Sequence, residues 1–435
     1  MRSTTAAPPH RRALKAAVGT LAEQIHRRVV QRITGGTAPV TVAIDGWTNV
    51  RQTKVTNVVL LCGGTAFYWC SISNTYAANT AQWLEEQLTP KLRELLELGI
   101  RFTALVADNE SVNGALFGRL QTPFPFLIRV PCAAHTIQLI VLQILRIDRF
   151  QATMATVASS LSRFEKQKAD RMRLRQLQQG EAREYTLLKP CDTRWNSQLR
   201  AAERIILLRN FITLIIKDVP PAFWEQLAQL IAYLLPFQIA TDIMQKDSAT
   251  LYDVWQQMHS LLVHIAAQKA THGSALTKRA EGALRERWNK QVNQPATIAC
   301  AILSVFADVS SLSAAVRNEA LHFIRTWGAS YLLFYKLAEG TEVEIKGRLY
   351  VELGHFNGRT GDYSTAQEEL ELPGFEPLIF WSNHIGELSL VAKALLSVTA
   401  SEAAVERSFS ARCNFTEHLD YAFKCQCVAF TVKLG

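Results

Sequence analysis

Two aspartates each follow a short apolar run with the composition of a buried β-strand. Asp45 comes after "VTVAI" and Asp108 comes after "FTALVA". An aspartate in this position can simply open a turn, because its side chain hydrogen-bonds to the backbone that follows. It can also be a carboxylate ligand for a divalent cation, since hard oxygen donors suit Mg²⁺ and Mn²⁺. Taken alone, each aspartate leaves both interpretations open.

A third acid is available near the C-terminus, in the helical pattern "SEAAVERSFS". It contains Glu402 and Glu406, which are four residues apart and therefore share one face of a helix. Spacing alone makes them alternatives, and it favours a solvent-exposed helix position for each. If the strands before Asp45 and Asp108 are neighbours in one sheet, their carboxylates repel each other, and a cation would relieve that repulsion.

The elements that position these acids follow from the hydrophobic pattern. Three strand-like runs come first, "VTVAID", "KVTNVVLLCG" and "AFYWCSISNTY", and only Gly63, Gly64 and Thr65 separate the last two, which predicts a hairpin. An amphipathic helix follows, with Thr80 as its predicted N-cap. Two further strands, "FTALVADN" and "PFLIRVPCAAH", then alternate with helices. The order β-β-β-α-β-α-β-α predicts an α/β fold with a mixed sheet covered by helices.

Composition narrows the class of protein. The 435 residues include 47 Lys and Arg against 38 Asp and Glu, and this net charge of +9 favours a polyanionic partner. We expect no membrane span, because fully apolar stretches fall far short of the roughly 20 residues needed. The eight cysteines form no C-x-x-C pair, which predicts reduced thiols in an intracellular protein.

Five short motifs resemble the hAT superfamily of DNA transposases and their domesticated relatives. In chain order they are "AIDGWTN", "VADNESVN", "PCAAHTIQL", "DTRWNSQL" and "ASEAAVERSFS". Each motif is weak alone, but five in this order, with a helical stretch before the last, are specific. The resemblance covers the chain from about Leu14 to Leu434. It implies a ribonuclease-H-like mixed sheet, interrupted by a large all-helical insertion and closed by C-terminal helices.

The resemblance also implies a division of the chain. Residues 1–39 would form a basic helical N-terminal segment, and residues 40–198 the first part of the ribonuclease-H-like catalytic domain. Residues 199–372 would form the helical insertion, and its acidic, glycine-containing end is expected to be an irregular loop. Residues 373–435 would be the C-terminal dimerisation region, which carries the last catalytic helix.

In the family, three acids hold two Mg²⁺ or Mn²⁺ ions for DNA strand cleavage, hairpin formation and strand transfer. Asp45 matches the first acid and Asp108 the second. Glu406 matches the third, because it lies in the Glu-Arg-x-Phe-Ser context that Glu402 lacks.

Other motif residues are expected to bind DNA or to pack. Cys132 and His135 match the family's C-x-x-H motif, but no two further ligands stand at suitable spacing, so no structural zinc is expected. Cys132 is expected to be a packed thiol. His135 is expected to lie near the acids, where it orients a carboxylate or contacts phosphate, and a core histidine is the alternative. Arg194 and Trp195 match the R-W motif, in which the family's Trp stacks on a flipped base. An ordinary buried Trp is the alternative.

Three further aromatic residues are expected to be structural. Trp47 is expected to pack behind the strand that carries Asp45, and Trp381 and Phe409 to lie in the core or the dimer interface.

The implied function is that of a hAT-like DNA transposase, nuclear and acting on DNA as a homodimer or larger oligomer through its C-terminal region. Active relatives carry an N-terminal zinc finger that recognises transposon ends, and this sequence starts about where the helix after such a finger would begin. We therefore expect an N-terminal truncation. The alternative is a domesticated, non-catalytic protein that binds DNA or dimerises. A plain RNA-cleaving ribonuclease H is disfavoured by the R-W motif and the helical insertion.

Overall fold

The computed structural model describes residues 10–36, 38–48, 53–74, 78, 80–191, 195–292, 294–364 and 374–416. Within them the protein is α/β, with one five-stranded mixed sheet. The strands are β1 (Val40–Thr48), β2 (Lys54–Cys62), β3 (Thr65–Asn74), β4 (Phe102–Ala107) and β5 (Ile128–Pro131). The predicted order of strands and helices around this sheet is confirmed.

The sheet joins an antiparallel meander to a parallel pair. Its order is β3-β2-β1-β4-β5, in which β1 is antiparallel to β2 and parallel to β4. The hairpin between β2 and β3 turns at Gly63 and Gly64, with φ of 55° and 70°, a conformation that glycine adopts without steric cost. Because β1 lies beside β4, the strands that lead to the two aspartates are neighbours, an arrangement that the sequence left open.

Helices account for most of the remaining described residues. They are α1 (Arg11–Thr34), α2 (Ala81–Glu97), α3 (Ser111–Leu120), α4 (Ala133–Leu145), α5 (Asp148–Lys166), α6 (Lys168–Leu177), α7 (Trp195–Leu207), α8 (Arg209–Ile215), α9 (Pro221–Met244), α10 (Leu251–Ala267), α11 (Lys269–His272), α12 (Ser274–Arg287), α13 (Pro295–Leu303), α14 (Ala314–Phe334), α15 (Glu342–Gly358), α16 (Pro377–Ser382), α17 (Glu387–Leu396) and α18 (Ala403–Thr416). A π-helical turn (Trp288–Val292) and a 3₁₀ turn (Gly361–Tyr363) complete them.

The centre of the sheet is buried on both faces. All six residues of β4 and the first five of β1 are buried, which explains why these strands are almost continuously apolar instead of alternating. Helix α2 begins at the predicted cap, where the Thr80 hydroxyl accepts a hydrogen bond from the Trp83 N–H at 3.1 Å. The buried centre of the sheet therefore holds the ends of β1 and β4 rigidly in place.

The irregular loop expected for the acidic segment after α14 is wrong for residues 342–358, and residues 365–373 of that segment lie outside the described residues. Residues 342–358 form α15, because Thr341 and Glu344 make a reciprocal capping box at its start. The helix also buries a stripe with helical spacing, which the high charge of the segment obscures in the sequence. Its members are Ile345, Leu349, Leu353 and Phe356.

The chain divides into two compact units. The first comprises Met1–Ala133, Met244–Trp255 and Asn293–Gly435, and it contains the sheet. The second comprises Ala134–Ile243 and Gln256–Val292, and its described elements are helical. This division does not test the predicted segments 1–39, 40–198, 199–372 and 373–435, which stay predictions.

The second unit has an apolar core of its own, built mainly from α5 to α9. Its buried members include Val157, Phe164, Leu174, Ile205, Ile212, Trp224 and Leu227. Among the described helices, α9 alone is long and apolar enough to cross a membrane by length and composition, a test that a buried core helix also passes. Several residues of α9 are buried within the protein, among them Leu227, Tyr233 and Phe237. The length and composition of α9 are therefore only weak evidence for a membrane-spanning helix.

Candidate functional site

Asp45 lies within β1, and the expectation that it ends the strand is wrong. The strand continues to Thr48 because the antiparallel ladder with β2 continues, and Asp45 itself is paired with Asn57. Its Oδ1 atom accepts a hydrogen bond of 2.7 Å from the N–H of Gly46. A carboxylate on a central strand is held far more rigidly than one in a turn.

The surroundings of Asp45 disfavour its charged form. Its pKa is raised to about 7, mainly by burial, while the Gly46 hydrogen bond acts in the opposite direction. The negative charges of Glu406, Asp108 and Glu110 raise the pKa further. The fold therefore brings acids from distant parts of the chain close enough to repel one another.

Asp108 directly follows β4 and also organises the turn after it. Its Oδ1 atom accepts hydrogen bonds from the N–H of Glu110 at 3.0 Å and from the Asn113 Nδ2 atom, on α3, at 2.6 Å. Asp108 can therefore both open a turn and belong to a site. Its Oδ1 atom accepts the two hydrogen bonds of the turn, and its charge still raises the pKa of Asp45.

Glu406 lies on α18, and side-chain contacts hold this helix against the sheet. The Asn57 Nδ2 atom donates a hydrogen bond of 2.8 Å to the Ser408 Oγ atom, and the rings of Trp47 and Phe409 have centroids 4.1 Å apart. Asn57 is the strand partner of Asp45 on β2. Its hydrogen bond to Ser408 therefore joins α18 to the sheet beside Asp45, at a helix position two residues after Glu406.

A second set of contacts fixes the start of α18. Arg407 forms an ion pair with Asp247 and donates a 3.0 Å hydrogen bond to the carbonyl of Gln245. Just before the helix, the N–H of Thr399 donates a 2.9 Å hydrogen bond to the Thr41 hydroxyl of β1. These contacts place the start of α18 beside the sheet.

Glu402, which the motif comparison set aside, also belongs to this group. It is 4% exposed, and its pKa is raised well above the usual value, first by burial and then by Asp45 and Asp108. The Cys132 thiol hydrogen-bonds to it and acts in the opposite direction. We call Asp45, Asp108, Glu402 and Glu406 the acidic cluster. Its small, apolar neighbours in "VTASEAAV" are the sequence signal that this glutamate is buried.

Two of the residues expected to be structural are buried in the first unit. Cys132 is 2% exposed, and its N–H donates a 2.9 Å hydrogen bond to the carbonyl of Ala107, the last residue of β4. Trp381 is fully buried, and its indole N–H donates to the carbonyl of Leu303 at 2.8 Å. This bond places Cys132 beside the end of β4, directly before Asp108.

The residues expected to contact DNA belong to the second unit or are not described. His135 is partly buried on α4. Trp195, the first residue of α7, is 1% exposed, and its indole N–H has no hydrogen-bond partner among the described residues. In this conformation its ring is not open to stack on a base. Arg194 lies outside the described residues.

The donor set of the acidic cluster suits a hard divalent cation. Carboxylate oxygens are the ligands that Mg²⁺ and Mn²⁺ prefer, and a positive charge would relieve the repulsion that raises the pKa of Asp45. The Glu402 Oε2 atom is buried without a hydrogen-bond partner in the described part of the chain. Those residues nevertheless include no group of three or more His, Cys, Asp or Glu side chains already arranged to hold an ion.

Comparison with known families agrees with the motifs. Residues 11–159 match a domain of unknown function (DUF659), and residues 361–422 match the hAT family C-terminal dimerisation region. No curated protein matches the chain. In these two regions the chain is similar to hAT-family transposase-like proteins. The second match, which covers all of α18, supports oligomerisation through this region.

Proposed function

We propose that the protein is a hAT-like DNA transposase whose ribonuclease-H-like domain cleaves and joins DNA strands with divalent cations. The sheet order β3-β2-β1-β4-β5 supports such a domain, because it sets an antiparallel meander beside a parallel pair. One observation carries the proposal. Asp45, Asp108 and Glu406 are separated widely in sequence, yet they interact electrostatically around a partly buried carboxyl group.

Each acid would have a distinct support in this reaction. Asp45 would present its carboxylate from a rigid central strand, and Asp108 from the turn that opens α3. Glu406 would approach from α18, at a position set by the bond between Asn57 and Ser408. When bound, Mg²⁺ or Mn²⁺ would activate the attacking water or 3′-hydroxyl and stabilise the leaving oxygen of a phosphodiester. The net charge of +9 would favour the approach of DNA, and we propose that the protein acts in the nucleus.

Strand cleavage tests the proposal directly. The full chain should nick supercoiled plasmid DNA in Mn²⁺ or Mg²⁺ and not in EDTA. Asp45→Asn and Asp108→Asn should each reduce the rate at least about 100-fold, since each removes a charged ligand from the reacting centre. Glu110→Gln is the matched control, because Glu110 also raises the pKa of Asp45 but is exposed. Cleavage that persists in both aspartate variants would exclude these acids as catalytic residues.

A second candidate is a transposase-derived protein that dimerises without cleaving DNA. It is favoured by the match to the dimerisation region and by the lack of a ready-made group of metal ligands among the described residues. It predicts a dimer in light scattering and retarded migration of duplex DNA, with no cation-dependent nicking by the wild-type chain. The same cleavage assay therefore separates the two candidates.

A further inference from the structure

Glu402 occupies an unusual position for an ionisable side chain. It directly precedes α18 and is 4% exposed, and its Oε2 atom has no hydrogen-bond partner among the described residues. Its backbone carbonyl caps the helix start, accepting a 2.7 Å hydrogen bond from the Val405 N–H. The backbone is thus satisfied locally, whereas the side chain is not.

The neighbours of Glu402 add to the cost of burying its charge. The groups that raise its pKa are Asp45, Asp108 and Glu406, all acidic, and no Lys or Arg side chain is among the groups that shift it. A buried carboxylate is tolerated when it is paired with a cation, fully hydrogen-bonded or protonated. The Cys132 thiol supplies one weak hydrogen bond, which leaves Oε2 without a partner.

The contacts of Cys132 direct Glu402 towards the sheet acids. The Cys132 N–H donates to the carbonyl of Ala107, directly before Asp108, and its Sγ atom lies 3.8 Å from the Ser401 Oγ atom, directly before Glu402. One residue therefore links the end of β4 to the start of α18. Glu402 is held at the same edge of the sheet as Asp45 and Asp108.

We propose that Glu402 is a ligand of the divalent cation at this site, together with Asp45 and Asp108. The buried, unpartnered Oε2 atom is the donor that a hard cation would take up. Glu406, one helical turn further along and only partly buried, would then be an additional acid and not the sole ligand from α18. The inference rests on the proposed function, because it requires that the acidic cluster binds a cation.

The experiment is calorimetric titration of Mn²⁺ into the full chain and into matched variants, without DNA. Glu402→Gln should weaken Mn²⁺ binding about 10-fold or more, as Asp45→Asn should, because each removes one charged ligand. Glu110→Gln, which removes an exposed acid from the same surroundings, should change the affinity no more than about 2-fold. Circular dichroism in EDTA checks that each variant is folded.

The possible results separate this inference from the proposed function. Wild-type affinity in Glu402→Gln, with binding lost in Asp45→Asn, would overturn the role of Glu402 and leave the proposed function standing. If the wild-type chain binds no Mn²⁺, both fall. If Glu402→Gln does not fold, Glu402→Asp takes its place, since it keeps the charge but shortens the reach by one methylene. It should also bind Mn²⁺ more weakly, and unchanged affinity would overturn the inference.

Discussion

The sheet side and the helix side of the acidic cluster are held in place by different kinds of interaction. Asp45 lies on β1 and Asp108 directly follows β4, and the residues of these two paired strands are largely buried and joined by a backbone ladder. Glu402 and Glu406 belong to the start of α18, which rests on a few side-chain contacts. The sheet therefore supplies rigidity, whereas the position of the helix acids depends on individual residues that can be changed one at a time.

The largest effect is expected from damage to the sheet core. Leu60 on β2 is fully buried, and Leu60→Ala should lower the free energy of unfolding by about 2–5 kcal/mol, because it leaves a cavity that the rigid sheet cannot close. Leu21→Ala, at a residue that is 55% exposed on α1, should change it by less than about 0.5 kcal/mol. Urea unfolding followed by circular dichroism measures both, and equal effects would contradict a rigid sheet.

The next effect is a pH dependence that originates at Asp45. Its pKa is raised from 3.8 to about 7 in the folded protein, so the folded state binds more protons than the unfolded state between these values. In EDTA, the contribution of Asp45 to stability should therefore fall as pH rises from about 4 to about 7, by up to about 4 kcal/mol. Asp45→Asn should remove this contribution, leave the dependence that the raised pKa of Glu402 causes, and be more stable than wild type at pH 8. Urea unfolding at pH 5 and pH 8 tests it, and a wild-type stability that rises relative to the variant would refute it.

A smaller effect is expected from the hydrogen bond between Asn57 and Ser408, which links the sheet to α18. Asn57→Ala removes the hydrogen bond to Ser408 and should lower stability by about 1–3 kcal/mol, because it leaves buried polar groups unpaired. Ser408→Ala cuts the same link from the helix side, whereas Ser71→Ala removes a hydrogen bond of Asn57 within the sheet. We expect weaker Mn²⁺ binding in the first two variants and unchanged binding in Ser71→Ala. Equal Mn²⁺ affinity in all three would show that the link does not position α18.

The smallest effect concerns the ion pair of Arg407 with Asp247. Both side chains are partly exposed, at 34% and 28%, so solvent screening limits their coupling to about 0.2–1 kcal/mol. A double-mutant cycle with Arg407→Ala and Asp247→Ala measures this value by urea unfolding. A coupling above about 2 kcal/mol would mean that the helix side is fixed as firmly as the sheet.

The strands were predictable because their signal is local. The apolar runs before Asp45 and Asp108, and the glycines between β2 and β3, specify strands and a hairpin whatever surrounds them. The segment that forms α15 was not recognised, because its glycines and its charged residues of both signs obscure a buried stripe with helical spacing. The strand end at Asp45 was misplaced for a related reason, since pairing with β2 extends β1 beyond its apolar run.

The acids of the site could be predicted only in part. Motif order pointed to Asp45, Asp108 and Glu406, and the structure brings all three within electrostatic reach. Glu402 was set aside because helical spacing cannot tell which of two acids on one face is buried. Asn57 was missed as well, although a polar residue in the middle of the apolar strand β2 is a signal for a buried hydrogen-bonding role.

By itself, then, the sequence determined the strands, their order along the chain and the candidate acids, because these depend on neighbouring residues and on motif context. Only the tertiary structure decided that Glu402 is buried without a partner for Oε2 and that Asn57 joins the strand of Asp45 to α18. Both results depend on residues far apart in the chain, since Asn57 and Ser408 are 351 positions apart and Cys132 lies 270 positions before Glu402. The neighbours of Glu402 and Asn57 in the sequence indicate that both are buried, but the partners that each side chain meets are set by such distant contacts.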